Sequence, residues 1–157
     1  MNDLHDQDRD DDKEGDGDFS DMLSEMRILL PGAQMLSAFL VILPFNTGFA
    51  DIVHVEKQLF LATFFFALAS LVLLSAPAVQ HRVMRPLKNR ARFKRIATRQ
   101  IVAGAFSLGI ALVLGTDLVI SEVFGATVGV VVAAIMAVLI LCFWWALPAW
   151  LKRHDKV

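Results

Sequence analysis

The chain has 157 residues, 56 % of them apolar, a mean hydropathy of +0.57 and a formal net charge of −1, which is too apolar for an ordinary soluble domain of this size. Its single cysteine, Cys142, excludes an intrachain disulfide and a cysteine-rich metal site, and there is no CxxC, HExxH, GxSxG or Walker-type loop. The near-zero net charge conceals a segregation: eleven of the sixteen acids lie in the first 27 residues, while His81 to Arg99 holds eight of the fifteen bases and no acid.

Residues 1–18 read as a disordered acidic tail, because a run rich in Asp8, Asp10, Asp11, Asp12, Glu14, Asp16 and Asp18 has almost nothing apolar to offset the entropy of ordering. Residues 19–27 form an amphipathic lead-in. Phe19, Met22, Leu23 and Met26 share one helical face, with Asp18 as a candidate N-cap, so the segment either lies in the headgroup layer or begins the first helix early. The transmembrane unit is expected over 28–151, with spans at 28–49, 59–79, 101–120 and 123–147. Each reaches the roughly 20 residues that cross a hydrocarbon layer of about 30 Å. None carries a charge near its middle, where one costs roughly 2.5–3.5 kcal/mol on insertion scales. A short basic tail, 152–157, closes the chain. The predicted class is all-α: an integral membrane four-helix bundle.

Orientation follows from the distribution of Lys and Arg. The second connection carries Arg82, Arg85, Lys88, Arg90, Arg92, Lys94, Arg95 and Arg99, and the C-terminal tail carries Lys152, Arg153 and Lys156; both belong in the cytoplasm. The first connection (Asp51, His54, Glu56, Lys57) and the third (Asp117, Glu122) are acidic on balance and belong outside. Both termini are then cytoplasmic, in a plasma-membrane protein. Gly48-Phe49-Ala50 resembles a signal-peptide cleavage site, but the acidic segment ahead of it and the long apolar run argue for a retained span.

Small residues recur at every fourth position in the third span (Ala103, Ser107, Ala111, Gly115) and in the fourth (Gly125, Gly129, Ala133, Ala137). Such rows let backbones approach closely in lipid. The two spans are expected to form an antiparallel hairpin; the alternative is that one row faces another subunit. Phe60, Phe64, Phe65 and Phe66 crowd the outer half of the second span, which predicts lipid exposure there. Trp144, Trp145 and Trp150 read as interfacial anchors. Pro77 and Pro148 read as helix-end residues and Pro44 as a kink.

The candidate site is a polar cluster at the cytoplasmic boundary: Glu25, Arg27 and Gln34 from the first span, His81 and Arg82 from the second. It would hold an anion or a lipid headgroup; ordinary interfacial anchoring is the competing explanation. The bases Arg85, Lys88, Arg90, Arg92, Lys94, Arg95 and Arg99 predict contact with anionic lipid, worth roughly 1 kcal/mol for each nearby charge. The acidic tail, on the same side, is a second candidate partner. Without an aromatic stacking platform nucleic acid is not expected. No ionisable group is expected at mid-depth, and no metal or cofactor is expected.

The run Glu25-Met26-Arg27-Ile28-Leu29-Leu30-Pro31-Gly32-Ala33-Gln34-Met35-Leu36-Ser37-Ala38-Phe39-Leu40, followed by Leu43-Pro44-Phe45, and the block Ala76-Pro77-Ala78-Val79-Gln80-His81-Arg82 carry a resemblance. They resemble an uncharacterised family of small bacterial and archaeal four-span membrane proteins, classed under a domain of unknown function, some of whose members bear an automatic sodium/proton antiporter label. The resemblance covers roughly Leu23 to Trp150. It implies the four-span fold and marks Glu25, Arg27, Gly32, Gln34, His81 and Arg82; it implies no established activity. The expected function is a non-enzymatic accessory or regulatory bundle, with a membrane-protein partner or a second copy as further candidates. A small oligomeric ion transporter or channel is the alternative.

Overall fold

The computed structural model describes residues 24, 26–45, 54–84 and 90–154, with the side chains of 90 and 91 outside the description. The acidic tail, Glu25, Asp51, Arg85, Lys88, the Arg90 side chain, Lys156 and the last four residues of the expected first span therefore lie outside the described residues. No strand occurs among those described. Four helices are long and apolar enough to cross a membrane: Met26–Phe45, His54–Val83, Arg92–Phe124 and Ala126–His154.

Helix α1 (Met26–Phe45) closes in a 3-10 turn, Leu43–Phe45. Pro44 sits inside that turn, where its missing N–H is accommodated by the tighter hydrogen bonding of a helix end. Helix α2 (His54–Val83) runs straight through Pro77, which is fully buried. The expected termination there does not occur. A proline removes one backbone hydrogen bond, and close packing around it keeps the rest of the helix in place.

Helix α3 (Arg90–Phe124) is 35 residues long. It continues past the expected connection at Ser121–Glu122, because nothing in that stretch breaks a helix. The break comes at Gly125, with φ +89° and ψ 157°, a conformation that a side chain would oppose. Gly125 N–H still donates to the Ser121 carbonyl at 2.9 Å, and the Gly125 carbonyl accepts from Val128 and Gly129 at 3.1 Å. One residue thus reverses the chain.

Helix α4 (Ala126–Ile140) passes without interruption into a π-helical segment, Leu141–Ala146, and then α5 (Leu147–His154). Leu147 N–H reaches back to the Cys142 carbonyl, the wide bond of a π turn. The segment ends one residue short of Pro148, whose ring would crowd the carbonyl four residues earlier in an α-helix. Pro148 therefore widens the helix and does not end it.

The core is built from small side chains in a heptad-like register. In α2 the buried positions are Thr63, Ala67, Ser70, Leu74 and Pro77, separated alternately by four and three residues. In α3 they include Phe93, Ala97, Ile101, Gly104, Ser107, Leu108 and Ala111, and in α1 Met26, Ala33, Ser37 and Leu40. Two apolar clusters result. One joins Met26, Ala33, Leu74, Phe93, Ala97, Ile101 and Leu108; the other joins Leu40, Ala67 and Ala111. A buried serine separates the clusters along α1 (Ser37) and α2 (Ser70), and on α3 Ser107 is buried close to their boundary. Ser107 Oγ donates across to the Phe66 carbonyl at 3.0 Å and Ser70 Oγ to its own helix at Ala67 O, 2.7 Å, while Ser37 Oγ has no partner among the described residues.

Phe60, Phe64 and Phe66 pack against the second cluster, and only Phe65 of the four is mostly exposed. Three of the four aromatics therefore pack within the bundle and one faces outward. The fourth span is peripheral: 11 % of its most apolar stretch is buried, against 33 % for the third.

Candidate functional site

The four spans alternate in direction, so the start of α1, the end of α2, the start of α3 and α5 share one end of the bundle. Met26, Phe93 and Ala97 belong to one apolar cluster there. The His81 ring lies 6.0 Å from that of Phe93. His81, half-buried, follows Pro77 by four residues on the same face of α2 as the buried row.

Of the other members of the expected cluster, Glu25 lies outside the described residues. Arg27, Gln34 and Arg82 are exposed, and Gln34 faces away from the core. What the end of the bundle presents instead is a basic ledge on α3. Arg92, Arg95 and Arg99 follow one another at i, i+3, i+7, with Lys94 beside them, all exposed, while Phe93, Ala97 and Ile101 on the other face are buried. Roughly 16 Å of helix, from Arg90 to Gln100, precede the apolar part of α3. Lys152, Arg153 and His154 end α5 at the same end of the bundle.

These charges differ in their setting. His81 and Arg82 close α2, and Lys152, Arg153 and His154 close α5, where the helix dipole favours cations. The bases of α3 open their helix, at the positive end of its dipole, with no acid in the first turn. Like charges three and four positions apart add repulsion. The ledge is therefore an array of positive charge along the exposed face of α3, with no acid in its first turn. Gln100, at its inner edge, holds Oε1 buried without a partner among the described residues.

The small-residue rows distribute unequally. On α4, Gly129 and Ala133 are buried, Ala137 is half-buried and Gly125 is exposed at the turn. On α3, Ser107 meets α2, Ala111 joins Leu40 and Ala67, Gly115 approaches Thr63 and Leu36, and Ala103 is exposed. That row serves α2 and α1, not α4. Each step of four residues rotates a row by about 40° around the helix, so a row four members long leaves any one interface. Contact between α3 and α4 runs through other glycines. A Cβ on Gly109 would meet Ile140 Cγ2 at 3.2 Å, and one on Gly129 would meet Ser121 N at 2.9 Å and Asp117 Oδ1 at 3.0 Å.

Asp117 belongs to neither connection. Because α3 continues to Phe124, Asp117 lies about 10 Å along the helix from its end. It accepts a hydrogen bond from Ser121 Oγ at 3.2 Å and faces α4 at Gly129. Placing a turn after Ile120 hid this, since the helix end sets the depth of the residues before it. No group of three or more metal-binding side chains occurs among the described residues.

Four long apolar helices, reversed by short connections and packed through small side chains, define a four-span helical membrane protein. A family model described as a family of unknown function, DUF6328, matches residues 8–148, and the chain belongs to that family. The match begins within the acidic segment. No curated protein matched the chain, and no solved structure matched it.

Proposed function

We propose that this protein is a non-enzymatic accessory or regulatory bundle of the plasma membrane, which gathers anionic headgroups against a basic cytoplasmic face. The observation that carries the reading is the ledge of Arg92, Lys94, Arg95 and Arg99, exposed together on one helix whose opposite face is anchored by the buried Phe93 and Ala97. The positive-inside rule supports placing this end, and with it both termini, in the cytoplasm. The three tryptophans supply the test, since Trp144, Trp145 and Trp150 all lie toward this end of the fourth span. In nanodiscs, brominated phosphatidylglycerol is expected to quench their fluorescence more strongly than brominated phosphatidylcholine at equal mole fraction. The triple variant Arg92→Gln, Arg95→Gln, Arg99→Gln should lower that preference roughly a hundredfold, at about 1 kcal/mol for each charge removed. An unchanged preference would leave the bases as simple anchors.

A second reading, a small oligomeric ion transporter, draws support from Asp117. A carboxylate below the end of a membrane-spanning helix, hydrogen-bonded to one hydroxyl, is a candidate for carrying a proton or cation. If so, vesicles reconstituted with the protein dissipate a pH gradient on addition of Na⁺ or K⁺, and Asp117→Asn abolishes the flux. Absence of flux with the unmodified protein refutes this reading.

A further inference from the structure

We infer that the acidic N-terminal segment docks on the α3 ledge and competes there with lipid headgroups, so that the protein carries its own regulator of the basic face. This rests on the reading of that face as an anion-gathering surface.

Charge complementarity is the first argument. Residues 1–25 hold eleven acids against Arg9 and Lys13, and residues 82–99 hold eight bases and no acid. The two blocks account for most of the charge in the chain and nearly cancel, which is why the net charge is only −1. The second argument is where the segment leaves the bundle. Met26 is 5 % exposed and shares a cluster with Phe93 and Ala97, the buried face of the ledge itself. The segment therefore starts beside Arg92–Arg99. Asp18 lies eight residues before Met26, a reach of about 12 Å if helical and up to about 28 Å if extended, and the ledge is only about 10 Å long. The third is tethering, which presents the polyanion to the ledge at a local concentration no free ion reaches. Charges of this kind attract over a Debye length of about 8 Å at physiological salt, so salt weakens the contact. The opposite end of the bundle offers Lys57 as an alternative partner only across the lipid.

The test is zero-length carbodiimide crosslinking of the full chain in phosphatidylcholine nanodiscs, read by peptide mass spectrometry. At 20 mM NaCl, carboxylates between Asp8 and Asp18 are expected to join Lys94 and not Lys57. The yield should fall several-fold at about 500 mM salt, where the Debye length shrinks toward 3–4 Å. It should fall similarly when phosphatidylglycerol replaces half of the neutral lipid. In the variant Arg92→Gln, Arg95→Gln, Arg99→Gln both reacting groups remain, and the yield should still drop several-fold. No link to Lys94 at low salt, or equal yield in that variant, overturns the docking. A yield indifferent to phosphatidylglycerol overturns the competition. The quenching experiment fails or succeeds separately, because it reads lipid and not the segment.

Discussion

Replacing Leu74 with alanine is expected to destabilise the bundle by about 2–5 kcal/mol, the range for emptying a buried leucine site. Leu74 is fully buried. It fills the notch left by Gly104, where an added Cβ would lie 2.9 Å from Leu74 Cγ and 3.0 Å from Cδ2. Shortening it removes the contact between α2 and α3 at the centre of the larger cluster, too deep for a lipid chain to replace. Leu61, 64 % exposed on the same helix, provides the control: lipid takes the place of its side chain, and Leu61→Ala should change stability little. Gly104→Ala on its own should destabilise by crowding Leu74, and the double variant Gly104→Ala, Leu74→Ala should recover part of both losses, since the new methyl enters the vacated space. Unfolding by SDS titration from detergent micelles reads all four. Equal losses in Leu74→Ala and Leu61→Ala would show that the packing between α2 and α3 is not as described.

Gly129→Leu should detach the fourth span from the rest. Any Cβ there meets the Ser121 backbone nitrogen at 2.9 Å and Asp117 Oδ1 at 3.0 Å. Backbone does not move aside as a side-chain tip does, so α3 and α4 must separate. Overpacking of this kind costs about 1–3 kcal/mol, occasionally more. The fourth span has little other burial to hold it, with Ala133 as its remaining buried residue on α4. In a Cys142→Ser, Ala133→Cys background, maleimide should label position 133 slowly with Gly129 present and at least several-fold faster with Gly129→Leu. The labelling should be accompanied by little loss of the three-helix core. Gly32→Ala, where nothing lies within 4 Å, is the control that leaves labelling unchanged. Equal labelling in both backgrounds would mean that α4 is held by something other than this close approach.

Both experiments probe features that differ in how readily the chain discloses them. The existence of four spans was legible because it needs only length and apolarity, and Arg82 to Arg99 marked one end by charge alone. Membership of the ledge was partly legible as well: Arg92, Lys94, Arg95 and Arg99 were expected at the lipid surface, and they are exposed. What the residues did not reveal was that α3 is already helical there, which turns a charged loop into a fixed array with Phe93 and Ala97 as its anchor. Polar type did not disclose burial here. Gln34 is exposed, while His81 packs beside Phe93. Neither type is reliable at a membrane boundary, where water and core are both within a side chain's length.

The sequence by itself determined the class of protein: hydrocarbon admits only backbone that satisfies its own hydrogen bonds, so four apolar segments of sufficient length become four helices. Tertiary structure alone decided which face of each helix is inside. Around a membrane helix there is no contrast between apolar core and polar solvent, so the hydrophobic pattern is silent and packing must choose among several rows of small residues. The α3 row from Ala103 to Gly115 looked like the mate of α4, yet it turns toward α2 and α1, and Gly109 and Gly129 make the α3–α4 contact. Depth was decided the same way. Where a helix ends depends on the first residue that breaks it, here Gly125, and that single turn carried Asp117 from the surface into the bundle.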